Sequence, residues 1–350
     1  MKATARHRTT LRASRSGANS RSGAAHRAHA RPRSRQSLVT IDIPRDIDDV
    51  TLVIEGKPVR LTNLRKPFWR ALGVTKGDLL RYYATVAPTL LPHVRDRAMV
   101  MKRYPNGADG EPFFMKRAPE PRPEWIRTCS IEHGSGSVIA FPVVDDLASL
   151  LWLVNLGCID LNPWYARCGD TDRPDYLHFD LDPVPDATFD DVRACALIVH
   201  DELAALRMPA YVKTTGSKGV HVYVPIVHGP TQKEVWTLAK GIAFALAKRH
   251  AARMTAEYRI AKRPAGRVLV DYNQNAWGRT LAAVYSPRPK PLATVSTPLT
   301  WDELAAGATT DDFRIDNVPR RIDKLGDLWA PVDAKRGRFD LAPLLAASAQ

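Results

Sequence analysis

The chain has 350 residues, of which 45% are hydrophobic and 25% charged, so it can bury a substantial core in one large domain or two smaller ones. Lys and Arg number 51 against 37 Asp and Glu, a net charge of +14, and no apolar run is long enough to span a bilayer. Ten of the basic residues lie in 1–37, a stretch with no acid, so the remainder carries only about +4 and is not broadly basic.

Residues 1–37 lack the apolar segment of a secretory signal. Their Arg, Ser and Ala content also fits a mitochondrial transit peptide, but it is read here as part of a disordered basic arm over 1–48. That arm is either a solvated tail or a non-specific attraction to a phosphate backbone. The four cysteines, Cys129, Cys158, Cys168 and Cys195, form no CxxC pair and no zinc spacing, and a reduced cytoplasmic interior follows.

Order is expected from Asp49. Val50–Ile54 and Val59–Leu61 flank Glu55-Gly56-Lys57-Pro58 as a hairpin. Leu79, Leu80, Tyr83, Val86, Ala87, Leu90 and Leu91 recur at helical spacing, which predicts a helix over Lys76–Leu91 with Pro92 just past its end. Strands are expected at Met99–Arg103 and Pro112–Arg117. A second hairpin is expected from Ile126–Ile131 and Val138–Phe141, and a helix over Asp145–Leu156 stopped by Gly157. From 174 onward the pattern is strand Tyr176–Leu181, helix Phe189–Leu206, strands Tyr211–Thr214 and Val220–Ile226, helix Thr231–His250 and strand Arg267–Tyr272. This order suggests an α+β fold with a split βαβ (RRM-like) sheet. The expected layout is an N-terminal α/β lobe over 49–173, a catalytic half over 174–330, and a C-terminal tail over 331–350.

Three features carry chemistry. In His178-Phe179-Asp180-Leu181-Asp182-Pro183, strand alternation puts Asp180 and Asp182 on one face, about 7 Å apart, where they repel unless a cation lies between them. A lone Asp-x-Asp is weak evidence. Asp271, however, ends the very apolar run Val268–Val270 and must be paired, protonated or metal-bound. Hard oxygen ligands favour Mg²⁺ or Mn²⁺, and three such acids suit two-metal phosphoryl transfer. The third feature is Lys213-Thr214-Thr215-Gly216-Ser217-Lys218-Gly219-Val220-His221, where two glycines allow a tight turn with inward N–H groups, an anion nest, or else an ordinary hairpin with a satisfied histidine. No helix follows it, so it is not a P-loop.

Taken together, DLD, then TTGSKGVH, then VDYNQN resembles the archaeo-eukaryotic primase superfamily, and most of all the polymerase domain of bacterial end-joining ligase D and related stand-alone primase-polymerases. The resemblance covers about 50–330. It implies Asp180, Asp182 and Asp271 as catalytic metal ligands, and Thr215, Ser217, Lys218, His221, Gln274, Asn275 and Arg288 around an incoming NTP or dNTP. It also implies Asn63, Lys66 and Lys76 as a pocket for the 5′-phosphate of downstream DNA, and Phe113 and Phe114 as residues stacking at a template bend. Adjacent residues on a flat strand face opposite ways, so one or both phenylalanines could equally be core. Two positions depart from many relatives: Asn162 stands where histidine is common, which removes a titrating group, and Thr215 stands for serine but keeps the hydroxyl.

The implied activity is a template-dependent DNA/RNA nucleotidyltransferase that fills short gaps or ends in DNA repair by end joining, with a preference for ribonucleotides and two Mn²⁺ or Mg²⁺ ions. The competing readings are a non-catalytic module that binds or bridges DNA ends through their 5′-phosphates, and a metal phosphoesterase. No Lys-x-Asp-Gly ligase motif is present, so sealing is expected from a separate ATP-dependent ligase, with Ku as a further partner. A cytoplasmic, nucleoid-associated location and no membrane contact are expected.

Overall fold

The computed structural model describes residues 41–348. The basic stretch within 1–40 lies outside the described residues. A six-stranded sheet forms the centre, in the order Met254–Thr255, Val268–Asp271, Tyr176–Pro183, Val220–Pro225, Tyr211–Thr214 and Pro298–Leu299. All neighbours are antiparallel except the first pair. The two outermost strands are two residues each, too short to leave a pattern in sequence.

Alternation explains how the sheet is covered. Phe179, Leu181, Val220, Val222 and Val270 face one side, because cross-strand partners share a face and Leu181 lies opposite both Val220 and Val270. They share one core with Val192, Cys195, Ala196, Val199 and Leu203 of the helix Phe189–Ala205 and with Val235, Ala239, Ala243 and Leu246 of the helix Gln232–Arg249. Both helices begin at capping boxes, Thr188 with Asp191 and Thr231 with Glu234. The opposite face carries His178, Asp180, Asp182, His221, Tyr223 and Lys213, and is therefore the polar one.

The N-terminal part wraps that polar side. The first hairpin is present as Val50–Ile54 and Lys57–Leu61. Its turn residues, Glu55 and Gly56, have φ of 50° and 77°, the left-handed conformation that two-residue hairpins require. The helix expected to stop before Pro92 instead runs Lys76–Val94 and contains both Pro88 and Pro92. Leu90, Leu91, His93 and Val94 are all buried, and packing of that last turn outweighs the hydrogen bond that Pro92 cannot donate. The strand Cys158–Pro163 escaped the sequence reading. Its polar residues Asp160 and Asn162 alternate with Ile159 and Leu161, yet nearly all of it is buried. It pairs with Met99–Arg103, which pairs in turn with Phe113–Met115. Long hydrogen bonds in sequence tie this part to the central sheet region, among them Tyr82 Oη to Tyr285 O (2.8 Å), Tyr83 Oη to Ile159 O (2.6 Å) and Trp69 Nε1 to Lys290 O (2.9 Å).

Both expected ends need correction. Ile43 is 1% exposed and its carbonyl accepts from Arg81 Nε, so packed structure begins before Asp49. Residues after 330 are not a tail: Val332 and Leu341 are fully buried, and Phe339 exchanges backbone hydrogen bonds with Pro225 and Val227. Asp333 explains the docking. With Asp327 it brackets the buried His93 ring, and it also meets Arg97, Arg167 and the Tyr176 hydroxyl, while Arg97 pairs with the buried Asp175. Burial opposes a charged His93, but the two carboxylates outweigh it and raise its pKa; they are themselves held low, against burial, by His93, with Arg97 also acting on Asp333.

This network fixes a pH dependence. His93, raised on folding, stabilises fully below its unfolded value of about 6.5 and less as pH climbs through the folded value. Asp327 and Asp333, lowered on folding, stabilise fully above their unfolded value of about 3.9 and less as pH falls through the folded one. The clamp is thus complete between about pH 4 and 6.5. His93→Gln is expected to remove part of the decline in melting temperature above that window, measured by thermal unfolding from pH 5 to 9; an unchanged slope would show that His93 is not charged.

Candidate functional site

The register of the central sheet assembles the site. Asp180 lies directly opposite Asp271 on one side and His221 on the other, and His221 lies opposite Lys213. Four polar side chains thus form a row across four strands on the polar face, with Asp182 two residues further along. Asp180 is 6% exposed, and its Oδ1 has no hydrogen-bond partner although His221 Nε2 is 3.2 Å away. Burial, then the charge of Asp271, pushes the Asp180 carboxyl up to about 7. For Asp182 the order reverses: the charge of Asp180 comes first and burial second, again up to about 7. Asp271 is better served, with Oδ1 accepting from the Asn273 N–H (2.8 Å) and Oδ2 from Gln274 Nε2 (3.1 Å).

Lys213 behind His221 was not singled out from sequence, since a lysine at a strand end carries no signal. It is 1% exposed and contacts His221 Nδ1 (2.7 Å), Ala282 O (3.0 Å) and Ser296 Oγ (2.6 Å). Burial, followed by Arg288 nearby, pulls its pKa well down, and burial with Lys213 does the same to His221, leaving the imidazole neutral.

The glycine loop presses against this row. A Cβ on Gly219 would lie 2.2 Å from Leu181 O, and Gly216 has φ +66° with Arg288 Cγ 2.6 Å from its would-be Cβ. Only glycine permits either approach. The expected nest of free N–H groups is partly consumed, however: the Thr215 hydroxyl accepts from the N–H groups of both Ser217 (3.0 Å) and Gly219 (3.1 Å). Thr215 therefore shapes the loop from within, while Lys218 is exposed. Arg288 donates Nη1 to Thr215 O at 2.7 Å. A pocket of about 200 Å³ is lined by Asn162, Asp180, Asp182, Ser217, His221 and Arg288, among others. The structure thus gathers most of the expected acids and loop residues in one place.

Asn275 is the exception. It is 1% exposed, and its amide bonds the backbone of His178 on both sides and the carbonyl of Tyr272. Its side chain holds the acid-bearing strand in place, with its amide donors spent within the protein and the residue buried from the pocket. Gln274, next to it, orients Asp271.

The remaining expected residues lie elsewhere. Asn63 and Lys66, with Arg65 and Asp48, line a separate open pocket of about 480 Å³. Lys76 is not on its wall: it is 5% exposed and donates to Thr62 O at 2.7 Å. Burial, then the charge of Lys66, lowers its pKa to about 8. Phe113 and Phe114 are 42% and 67% exposed, so neither is core. Arg103 sits 5.2 Å from the ring centre of Phe113 and Lys102 5.4 Å from that of Phe114, which makes this edge both aromatic and basic.

The donor set suits a hard divalent cation, because three carboxylates converge on one face and Asp180 keeps an orphaned buried oxygen. Among the described residues, no three His, Cys, Asp or Glu side chains are yet drawn to metal-holding distance, so an ion would have to pull these oxygens inward. No helix among the described residues is long and apolar enough to cross a membrane.

A family model described as LigD, primase-polymerase domain, matches residues 75–329. The multifunctional non-homologous end joining protein LigD of Mycolicibacterium smegmatis is 34% identical over 278 residues, covering 79% of this chain and 36% of that protein. The bifunctional LigD of Bacillus subtilis is 31% identical over 280 residues, covering 79% and 45%. The chain therefore spans less than half the length of these relatives. A solved structure of the polymerase domain from Mycobacterium tuberculosis ligase D in complex with DNA superimposes with a TM-score of 0.74 at 32% identity, covering 79% of this chain and 98% of that one.

The electrostatics of the acids give a direct test. A carboxyl raised on folding destabilises the folded state above its folded pKa and ceases to do so below its unfolded one. Without divalent metal, Asp180→Asn is expected to raise the melting temperature most at pH 8, by clearly less at pH 5, and hardly at all below about pH 4, the unfolded carboxylate value. A lower melting temperature at pH 8 would mean that the Asp180 charge is compensated in the free protein.

Proposed function

We propose, from the premise that the chain belongs to the LigD primase-polymerase domain family of bacterial non-homologous end joining and DNA repair, that it is a template-dependent DNA/RNA nucleotidyltransferase which extends primers across short gaps or at ends. The observation that carries this reading is the row of Asp271, Asp180 and His221, with Asp182 beside it and the Gly216–Gly219 loop against it. The sheet is read as a split βαβ (RRM-like) arrangement, in keeping with the spatial order of its four longer strands: fourth, first, third, second in the chain.

Two divalent ions, Mn²⁺ or Mg²⁺, held by Asp180, Asp182 and Asp271 would supply activation of a primer hydroxyl and charge neutralisation on the triphosphate. The chain's own groups do the rest. Gln274 and the Asn273 N–H fix the rotamer of Asp271. Asn275 fixes the backbone that carries His178 and Asp180. Ser217, Lys218 and Arg288 offer donors to the triphosphate, and neutral His221 offers its Nε2 side to the same pocket. The proposal includes a preference for ribonucleotides.

The solved relative's complex with DNA makes DNA the substrate expected here. Asn63 and Lys66, with Lys76 contributing charge from beneath, would hold a downstream 5′-phosphate, whose greater charge distinguishes an end from an internal diester. Phe113 and Phe114 would stack on splayed template bases, each worth roughly 1–3 kcal/mol. Ku and an ATP-dependent ligase activity are the partners this role calls for.

The test is extension of a labelled primer across a short gap with a downstream 5′-phosphate, with Mn²⁺ or Mg²⁺ and with ribo- or deoxynucleotides. The wild type is expected to add nucleotides and Asp180→Ala/Asp182→Ala to add none. Tight gap binding without addition under every metal would favour an end-binding module instead. Lys66→Ala is expected to reduce use of phosphorylated gaps about tenfold, the size of one lost charge-assisted contact, while sparing simple primer extension; equal loss on both substrates would dissociate that pocket from the 5′-phosphate.

A further inference from the structure

The buried strand Cys158–Pro163 places Asp160 and Asn162 on the same face. Asn162 reaches the pocket wall, and Asp160 lies deeper, 2% exposed. Its ion-pair partner is Arg288, with Nε 3.5 Å from Oδ2. That contact is loose for a pair so deeply placed, and Asp160 Oδ1, Arg288 Nε and the Tyr104 hydroxyl are all buried without hydrogen-bond partners. Tyr104 lies against the same carboxylate: burial first, and the Asp160 charge second, push its hydroxyl pKa up.

A buried carboxylate of this kind contributes little to stability, because the cost of desolvating two ions rivals their attraction. Its consequence is geometric. Arg288 is gripped on one side by Thr215 O, in the glycine loop, and faced on the other by Asp160, on a strand of the N-terminal part. Its Nη2 makes no hydrogen bond among the described residues, and the side chain lines the pocket beside Asp180, Asp182 and Ser217.

We propose that Asp160 is a positioning residue for the incoming nucleotide: it holds the Arg288 guanidinium in the pocket so that the remaining N–H groups meet the triphosphate, with the Tyr104 hydroxyl as the spare donor beside the carboxylate that can brace it as Arg288 engages. The proposal rests on the nucleotidyl-transfer reading above. Asp160 touches no substrate; it acts through Arg288, and it couples the N-terminal part to the glycine loop at the moment a triphosphate binds.

The experiment is a double-mutant cycle read by equilibrium binding of UTP in the presence of Mn²⁺. It uses the wild type, Asp160→Asn, Arg288→Ala and the double variant, with melting temperature and primer-template affinity measured alongside. Asp160→Asn keeps the volume and removes the charge. It is expected to weaken UTP binding about tenfold, to raise the KM for UTP with kcat within about twofold, and to leave primer-template affinity unchanged. The double variant is expected to bind no more weakly than Arg288→Ala alone, because the two losses are one interaction. Tyr104→Phe, which removes only a hydroxyl, is expected to weaken binding in the same direction and carries the test should Asp160→Asn fail to fold. Losses that add in the cycle, or UTP affinity at the wild-type level in both Asp160→Asn and Tyr104→Phe, would overturn the positioning role alone. A wild type that binds no UTP would overturn the nucleotidyl-transfer reading and this proposal with it.

Discussion

The arrangement turns on the antiparallel register of the strand Tyr176–Pro183, which sits between Val268–Asp271 and Val220–Pro225. One residue, Asp180, is thereby placed opposite a second acid and a histidine at once. A one-residue slip in either pairing would send Asp271 or His221 to the helix-covered side. The apolar set Phe179, Leu181, Val220, Val222 and Val270 opposes such a slip, since all of it would leave the core together. The same burial that secures the register makes the acids costly to ionise, and it is this unresolved charge that suits the site to a divalent cation.

A second constraint acts through backbone proximity. Gly219 lies against Leu181 O and Gly216 against Arg288, so the loop, the acid-bearing strand and the arginine cannot move independently. Asn275 adds to this by clamping the backbone at His178. Around the site, polar side chains with several hydrogen bonds serve rigidity: those of Thr215, Asn275 and Lys213 each make two or more within the protein. Asp180 and Arg288, which keep unmet hydrogen-bonding capacity, line the place where a substrate or ion would lie. The largely buried His93, Arg97, Asp175, Asp327 and Asp333 network plays the corresponding part for the residues after 330, where charge pairing joins the burial of Val332 and Leu341 in holding the segment on the body.

The long elements were legible because their periodicities are strong. Alternation in Val220–Pro225 and the three- and four-residue spacing in 76–91 leave few alternatives. What escaped was set by packing. Pro92 reads as a stop, yet burial of the residues around it carries the helix on to Val94. Cys158–Pro163 reads as a mixed polar stretch, because its polar side chains are satisfied, or held in tension, only by distant residues such as Arg288. The candidate site was legible to the extent that its residues cluster in short motifs. Asn275 looks like a ligand in VDYNQN, and only the fold shows its amide spent on the strand behind it.

The sequence by itself determined the alternation that puts Asp180 and Asp182 on one face, the glycines where backbone must approach backbone, and the apolar surfaces that make a helix-covered sheet. Those properties are local: they depend on dihedral periodicity and on the absence of a Cβ. Tertiary structure alone decided that Asp271 lies opposite Asp180, that Lys213 stands behind His221, and that Asp160 meets Arg288 across 128 residues of chain. Those are pairings between segments far apart in sequence, selected by which registers bury the most apolar surface and leave the fewest polar groups alone, and no local pattern records them.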